Sequence, residues 1–136
     1  MIIIVCLDDN DGMRFNNRRQ SRDLYLCQRV AELSKESVLW VNTGSSSLFE
    51  GLDANVRVDP QFLELAASGE YCFVEDRDIT EFLHDVEKII IFRWNRVYPS
   101  DMKFPMYLLQ DKWHKEDVVT FPGKSHEQIT QEVYLP

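Results

Sequence analysis

At 136 residues, 44% of them hydrophobic and 28% charged, the chain is one α/β domain by length, spanning 1–136, with enough apolar side chain to close a core. Its net charge of −8 excludes nucleic acid as the default partner, because a phosphate backbone demands a basic surface. No apolar run approaches the roughly 20 residues needed to span a bilayer, so no membrane partner is expected.

No positive leader precedes the short apolar start, and the expected location is cytoplasmic. Cys6, Cys27 and Cys72 are odd in number, lack CxxC pairing and sit in apolar patterns, so they are read as reduced and inert.

In chain order, Ile2 to Leu7 is a continuous apolar run of β-branched character, the pattern of a strand buried on both faces. Asp8-Asp9-Asn10-Asp11-Gly12 follows. As a calcium loop it fails, since Arg19 stands where the closing carboxylate belongs, and a solvated turn with Gly12 at positive φ is expected. Ser21 is placed as the cap of a helix with Asp23 in its first turn. Leu26, Val30 and Leu33, widened by Cys27 and Ala31, form its buried stripe. Val38 to Val41 is a second buried strand, parallel to the first.

Asn42 to Ser47 is a polar turn, and Val56 to Val58 a short strand. Asp59-Pro60 opens a helix with Asp as N-cap, closed by Gly69. Tyr71 to Val74 is a strand, and Asp78 to Glu81 has capping-box spacing ahead of a helix reaching Val86. Ile89 to Trp94 reads as the most buried strand, and Tyr98 to Gln110, with Pro99 and Pro105, as irregular. Trp113 to Phe121 and Gln128 to Leu135 should pair antiparallel across Pro122-Gly123. The expected architecture is a mixed sheet of about seven strands, parallel in its first part and ending in an antiparallel hairpin, with helices on both faces.

Four stretches resemble the dihydrofolate reductase family: Ile2 to Phe15 with its Asp/Asn-Gly loop, VLWVNTGSSSLFEG from Val38 to Gly51, EYCFVEDRDITEFLHDVEKIIIFRW from Glu70 to Trp94, and DMKFP from Asp101 to Pro105 before a hairpin ending in VYLP. The resemblance implies a dihydrofolate reductase-like fold and places Asp23 near the family's catalytic carboxylate. The family's cofactor and substrate motifs are missing. Asn17-Arg18-Arg19-Gln20 replaces Leu-Pro-Trp, Gly44 to Ser47 replaces the phosphate-contacting Arg-Thr pair, and Glu75-Asp76 replaces the glycine pair. Two carboxylates there repel a pyrophosphate. NADPH in the family's mode is therefore not expected, and the cofactor is unknown.

Arg14, Arg18, Arg19 and Arg22 concentrate four of the 15 basic residues in one short stretch. Arg18 and Arg19 just before the helix N-terminus and Arg22 in its first turn, beside the Gly44 to Ser47 turn, form an anion site; alternatively they pair with the surplus carboxylates. Trp94 either stacks on a planar ligand or packs on Tyr98 and Pro99. His84, His114 and His126 have no partner at ligand spacing, no metal site is expected, and Lys124 to Glu127 reads as a surface turn.

Two functions stay open. One is a binder of an anionic or nucleotide-like small molecule without classical reductase activity, using Arg18, Arg19, Arg22, Asn42, Thr43, Gly44, Ser45 and Trp94, with Asp23 as acid/base residue if there is chemistry. The other is a non-catalytic, acidic interaction or immunity-type protein covering a basic surface of a partner. Whether the chain is an enzyme, and whether it forms a homo-oligomer, the sequence leaves open.

Overall fold

β1, Ile2–Leu7, alternates its side chains between two cores. Ile3, Val5 and Leu7 point to one face of the sheet, where Phe62, Leu63 and Ile79 cover them; Ile2 and Ile4 point to the other, against Leu26, Val30 and Phe49. Each such side chain contributes roughly 1.5–3 kcal/mol by leaving water, which makes this strand the spine of the molecule. The computed structural model describes all of Met1–Pro136.

The main sheet has seven strands. Besides β1 they are β4 (Leu39–Val41), β5 (Val56–Val58), β6 (Tyr71–Phe73), β7 (Lys88–Arg93), β9 (His114–Phe121) and β10 (Ile129–Leu135), in the order β5-β4-β6-β1-β7-β10-β9. β5, β4, β6, β1 and β7 run parallel, and β10 pairs antiparallel with both β7 and β9. The mixed sheet and its closing hairpin stand as expected. β6 lies between β1 and β4, so these two strands share a direction without touching.

Helix α1, Leu24–Ser34, buries Leu26, Cys27, Val30, Ala31 and Ser34 on one face of the sheet; Ser34 stays in the helix by donating its hydroxyl to the Val30 carbonyl. Its N-cap is Asp23, not Ser21: the Asp23 carboxylate accepts from the Tyr25 and Leu26 N–H groups. The opposite face carries α2, Phe62–Leu65, and a 3₁₀ turn at Thr80–Asp85. Both are shorter than the sequence pattern implied. Asp59 and Asp78 spend their carboxylates on N–H groups two residues on, at Gln61 and Thr80, which closes turns instead of extending helices.

A second sheet was not legible in the pattern. β2 (Gly12–Phe15) pairs antiparallel with β3 (Arg18–Arg19) and with β8 (Met102–Lys103). Arg18 and Arg19 thus lie in a hairpin, turned by Asn16 and Asn17 at φ of 51° and 58°, rather than leading directly into the helix. No helix is long and apolar enough to cross a membrane.

Candidate functional site

The parallel strands end together, and their C-terminal edge gathers Asp8 after β1, Asn42 after β4, Glu75 and Asp76 after β6, and Trp94 after β7. Ligand crevices in open α/β sheets form at such an edge. Asp8 is fully buried. One carboxylate oxygen accepts from the Asn10 and Gly12 N–H groups, both at 2.8 Å; the other accepts from Tyr98 N–H at 3.0 Å and Gln20 Nε2 at 3.2 Å. Burial alone would raise its pKa, but the Gly12, Tyr98 and Asn10 N–H groups outweigh it and hold the carboxyl below its ordinary range. The acidic turn is therefore not a solvated one at its first residue. The positive φ falls on Asp11, at 63°, and not on Gly12. Gly12 is required for a different reason: a Cβ there would meet Gln20 Nε2 at 2.6 Å and Ser100 at 2.7 Å.

Asp23 is the second buried carboxylate. Beyond the two helix N–H groups it accepts from Lys124 N–H at 3.0 Å, Ser125 N–H at 2.8 Å and Ser125 Oγ at 3.1 Å, and lies 3.0 Å from His126 Nδ1. Burial opposes the charge, yet the Lys124 N–H, His126 and the Ser125 and Leu26 N–H groups together drive the carboxyl well below its ordinary range. Facing an ionised, acceptor-only Asp23, His126 presents Nδ1–H to it, and in the neutral ring Nε2 is then the acceptor. Ser21 Oγ at 2.9 Å and Tyr98 Oη at 3.1 Å both reach Nε2. His126, expected in a surface turn, is instead 5% exposed, and its ring stacks on Trp94 with centroids 4.5 Å apart.

Trp94 is 4% exposed, its ring taken up in this stack. Arg19 is committed as well. Its guanidinium meets Glu75 through Nε at 2.9 Å and Nη2 at 3.0 Å, and donates to the Gly44 carbonyl at 2.6 Å. Ser45 Oγ donates to the same Glu75 at 2.7 Å. Asn42 accepts from the Thr43 N–H and donates to Asp76, starting the 3₁₀ turn Thr43–Phe49. Glu75 is thus held by the chain itself, while Asp76 is held through Oδ2 alone and keeps Oδ1 buried without a partner.

Three clefts open on this edge. One, of about 440 Å³, is lined by Phe15, Asn16, Arg18, Arg19, Gln20, Tyr98 and Pro99. Another, of about 380 Å³, is lined by polar and charged residues and glycine: Arg14, Asn17, Arg18, Arg19, Gly44, Ser45 and Asp76. The third, about 420 Å³, holds Arg22 and Asp23 with Leu24, Cys27, Leu48, Lys124 and Ser125. The structure brings Arg18, Arg19, Gly44 and Ser45 together. Asn42 and Thr43 stand at the start of the turn that supplies two of them, Arg22 lies on another cleft, and Trp94 lies inside. Arg18 is exposed, makes no ion pair and belongs to the first two clefts alike. No three His, Cys, Asp or Glu side chains converge as metal ligands.

Sequence reasoning missed Gln20, Tyr98 and His126. His126 lies 103 residues from Asp23, and nothing local marks it as buried. Tyr98 sits in a stretch read as irregular, although the arginines and the Gly44 turn did signal the rest.

No family model matches the chain, and no curated protein does. Among solved structures it is similar to dihydrofolate reductase from Enterococcus faecalis complexed with NADP(H) and RAB-propyl, with a TM-score of 0.66 at 9% sequence identity, covering 98% of this chain and 94% of that one. The chain therefore has a divergent dihydrofolate reductase-like fold.

Proposed function

We propose that the chain binds an anionic, nucleotide-like small molecule across the two clefts that meet at Arg18, and lacks classical reductase activity. The observation that carries this reading is Arg18 itself, an exposed guanidinium with no carboxylate partner in a protein of net charge −8. The all-polar cleft, with Arg14 and Arg18, suits a phosphate or carboxylate. The neighbouring cleft, with Phe15, Tyr98 and Pro99, suits a planar ring. Glu75 and Asp76 stand where the resembled family has its glycine pair, which argues against a dinucleotide seated in that family's way. Asp23 serves this site as the post that fixes His126 and the loop at Lys124, not as a group that itself exchanges protons with a ligand. The three cysteines are free thiols, in keeping with the cytoplasm.

Thermal shift with nucleoside monophosphates, inorganic phosphate, folates and reduced nicotinamides tests the reading. A rise with the monophosphates, absent in Arg18→Gln, supports it; flat curves with every ligand refute it. A second reading is a protein partner. β9 is the outer edge of the sheet, with His114 to Val118 exposed, and its free backbone edge offers a strand-pairing surface. Where the partner is a second copy of the chain, light scattering across a concentration series reads the self-association directly.

A further inference from the structure

Ser21, His126 and Asp23 form a chain of contacts that ligand binding does not require. Ser21 Oγ lies 2.9 Å from His126 Nε2, and His126 Nδ1 lies 3.0 Å from an Asp23 oxygen. The side chains of His126 and Asp23 are 3% and 0% exposed, so base and orienting carboxylate are locked in place, while Ser21 is partly exposed. We infer that Ser21 is an activated nucleophile, with His126 as its general base and Asp23 as the residue that positions His126, and that the chemistry is acyl transfer from a carboxylic ester.

The roles follow from the hydrogen bonds. Asp23 accepts from four main-chain N–H groups and stays ionised, which fixes the proton of a neutral His126 on Nδ1 and leaves the Nε2 lone pair facing the hydroxyl. Tyr98 Oη shares that lone pair at 3.1 Å and lines the aromatic cleft. In the first half-reaction Ser21 Oγ bonds to the ester carbonyl carbon as its proton passes to Nε2. The ester C–O bond then breaks, and the proton leaves with the alcohol. Water attacks the acyl-serine by the same route, returning Ser21 and releasing the acid, so that ester and water give acid and alcohol with no further reactant. The main-chain N–H groups of Ser21 and Arg22 donate to no group of the chain and so are free to donate to a developing oxyanion. Ser21 also borders a void of about 10 Å³ together with Arg19, Gln20, Glu75 and Trp94. Arg19 and Gln20 line the aromatic cleft too, and Ser21, itself partly exposed, follows them in the chain. The inference does not depend on the anionic ligand.

A fluorophosphonate probe applied to the full chain tests it, because a base-activated serine displaces its fluoride far faster than an ordinary hydroxyl and the adduct stays on the attacking residue. The expected result is a mass adduct at Ser21, absent from Ser21→Ala and reduced by about 10³-fold or more in rate in His126→Gln. Asp23→Asn keeps the helix cap, since Asn caps as well as Asp, but should slow labelling steeply by releasing the wrong tautomer. Should His126→Gln fail to fold, Ser21→Cys gives the same reading: iodoacetamide should alkylate position 21 at pH 7 at least tenfold faster than free cysteine. No Ser21 adduct, or alkylation of Ser21→Cys no faster than free cysteine, overturns the assignment.

Discussion

The two buried carboxylates and the exposed arginines of the opening stretch lie within a few residues of one another and have opposite fates. Asp8 and Asp23 are saturated: each holds N–H groups from distant parts of the chain, and each is kept ionised by them. Arg18 has no partner and stands between two clefts. A charge whose hydrogen bonds are all made inside the protein acts on stability. A charge left open at a crevice is available to a ligand. Arg19 lies between these limits, paired with Glu75 yet lining both clefts.

The largest effect should come from Asp23→Ala. It removes the helix cap and strands the Lys124 and Ser125 N–H groups and the buried His126, costing on the order of 3–5 kcal/mol in urea unfolding. Titration sharpens the same point. The folded pKa of Asp23 is depressed below its ordinary value, so its contribution is fully present above roughly pH 4 and is lost as pH falls through the folded value. Wild type should therefore lose stability below about pH 4 more steeply than Asp23→Asn, as acid unfolding will read.

Next in size is Arg19→Gln, which leaves Glu75, with a side chain 11% exposed, without its bidentate partner. A loss of about 1–3 kcal/mol is expected by thermal unfolding, with Glu75→Gln in the same background restoring part of it. Gly123→Ala should cost a similar or smaller amount, about 1–3 kcal/mol, since a Cβ there meets Asp23 Oδ2 at 2.6 Å and the His126 carbonyl at 2.7 Å. Arg18→Gln should sit at the bottom of the series, within about 0.5 kcal/mol of wild type.

The sheet was legible because its strands carry their own burial pattern. Ile2 to Leu7 and Ile89 to Phe92 are continuous apolar runs, and Ile129 to Leu135 alternates, so each declares its place before any contact is known. β2, β3 and β8 were not legible, because strands of two to four residues are defined by their pairing and not by periodicity. The site was half legible. A cluster of arginines is visible in composition, but which of them Glu75 neutralises depends on strands β1 and β6 lying side by side. His126 was hidden for the same reason: its burial is decided by Asp23 and Trp94, both remote in sequence. The helix cap turned on a finer competition, since Ser21 and Asp23 both suit the position and tertiary contacts from Lys124 and Ser125 hold Asp23 there.

The most direct test of this division between saturated and open charge is the melting temperature of wild type and Arg18→Gln, each with and without a nucleoside monophosphate at about 100 times its Kd for wild type. Ligand at that level stabilises by about 2.7 kcal/mol. Without ligand the two proteins should melt at equal temperatures; with ligand, wild type should rise by at least about 5 °C and Arg18→Gln not at all. An equal rise in both proteins, or an unliganded Arg18→Gln that melts well below wild type, would contradict that division.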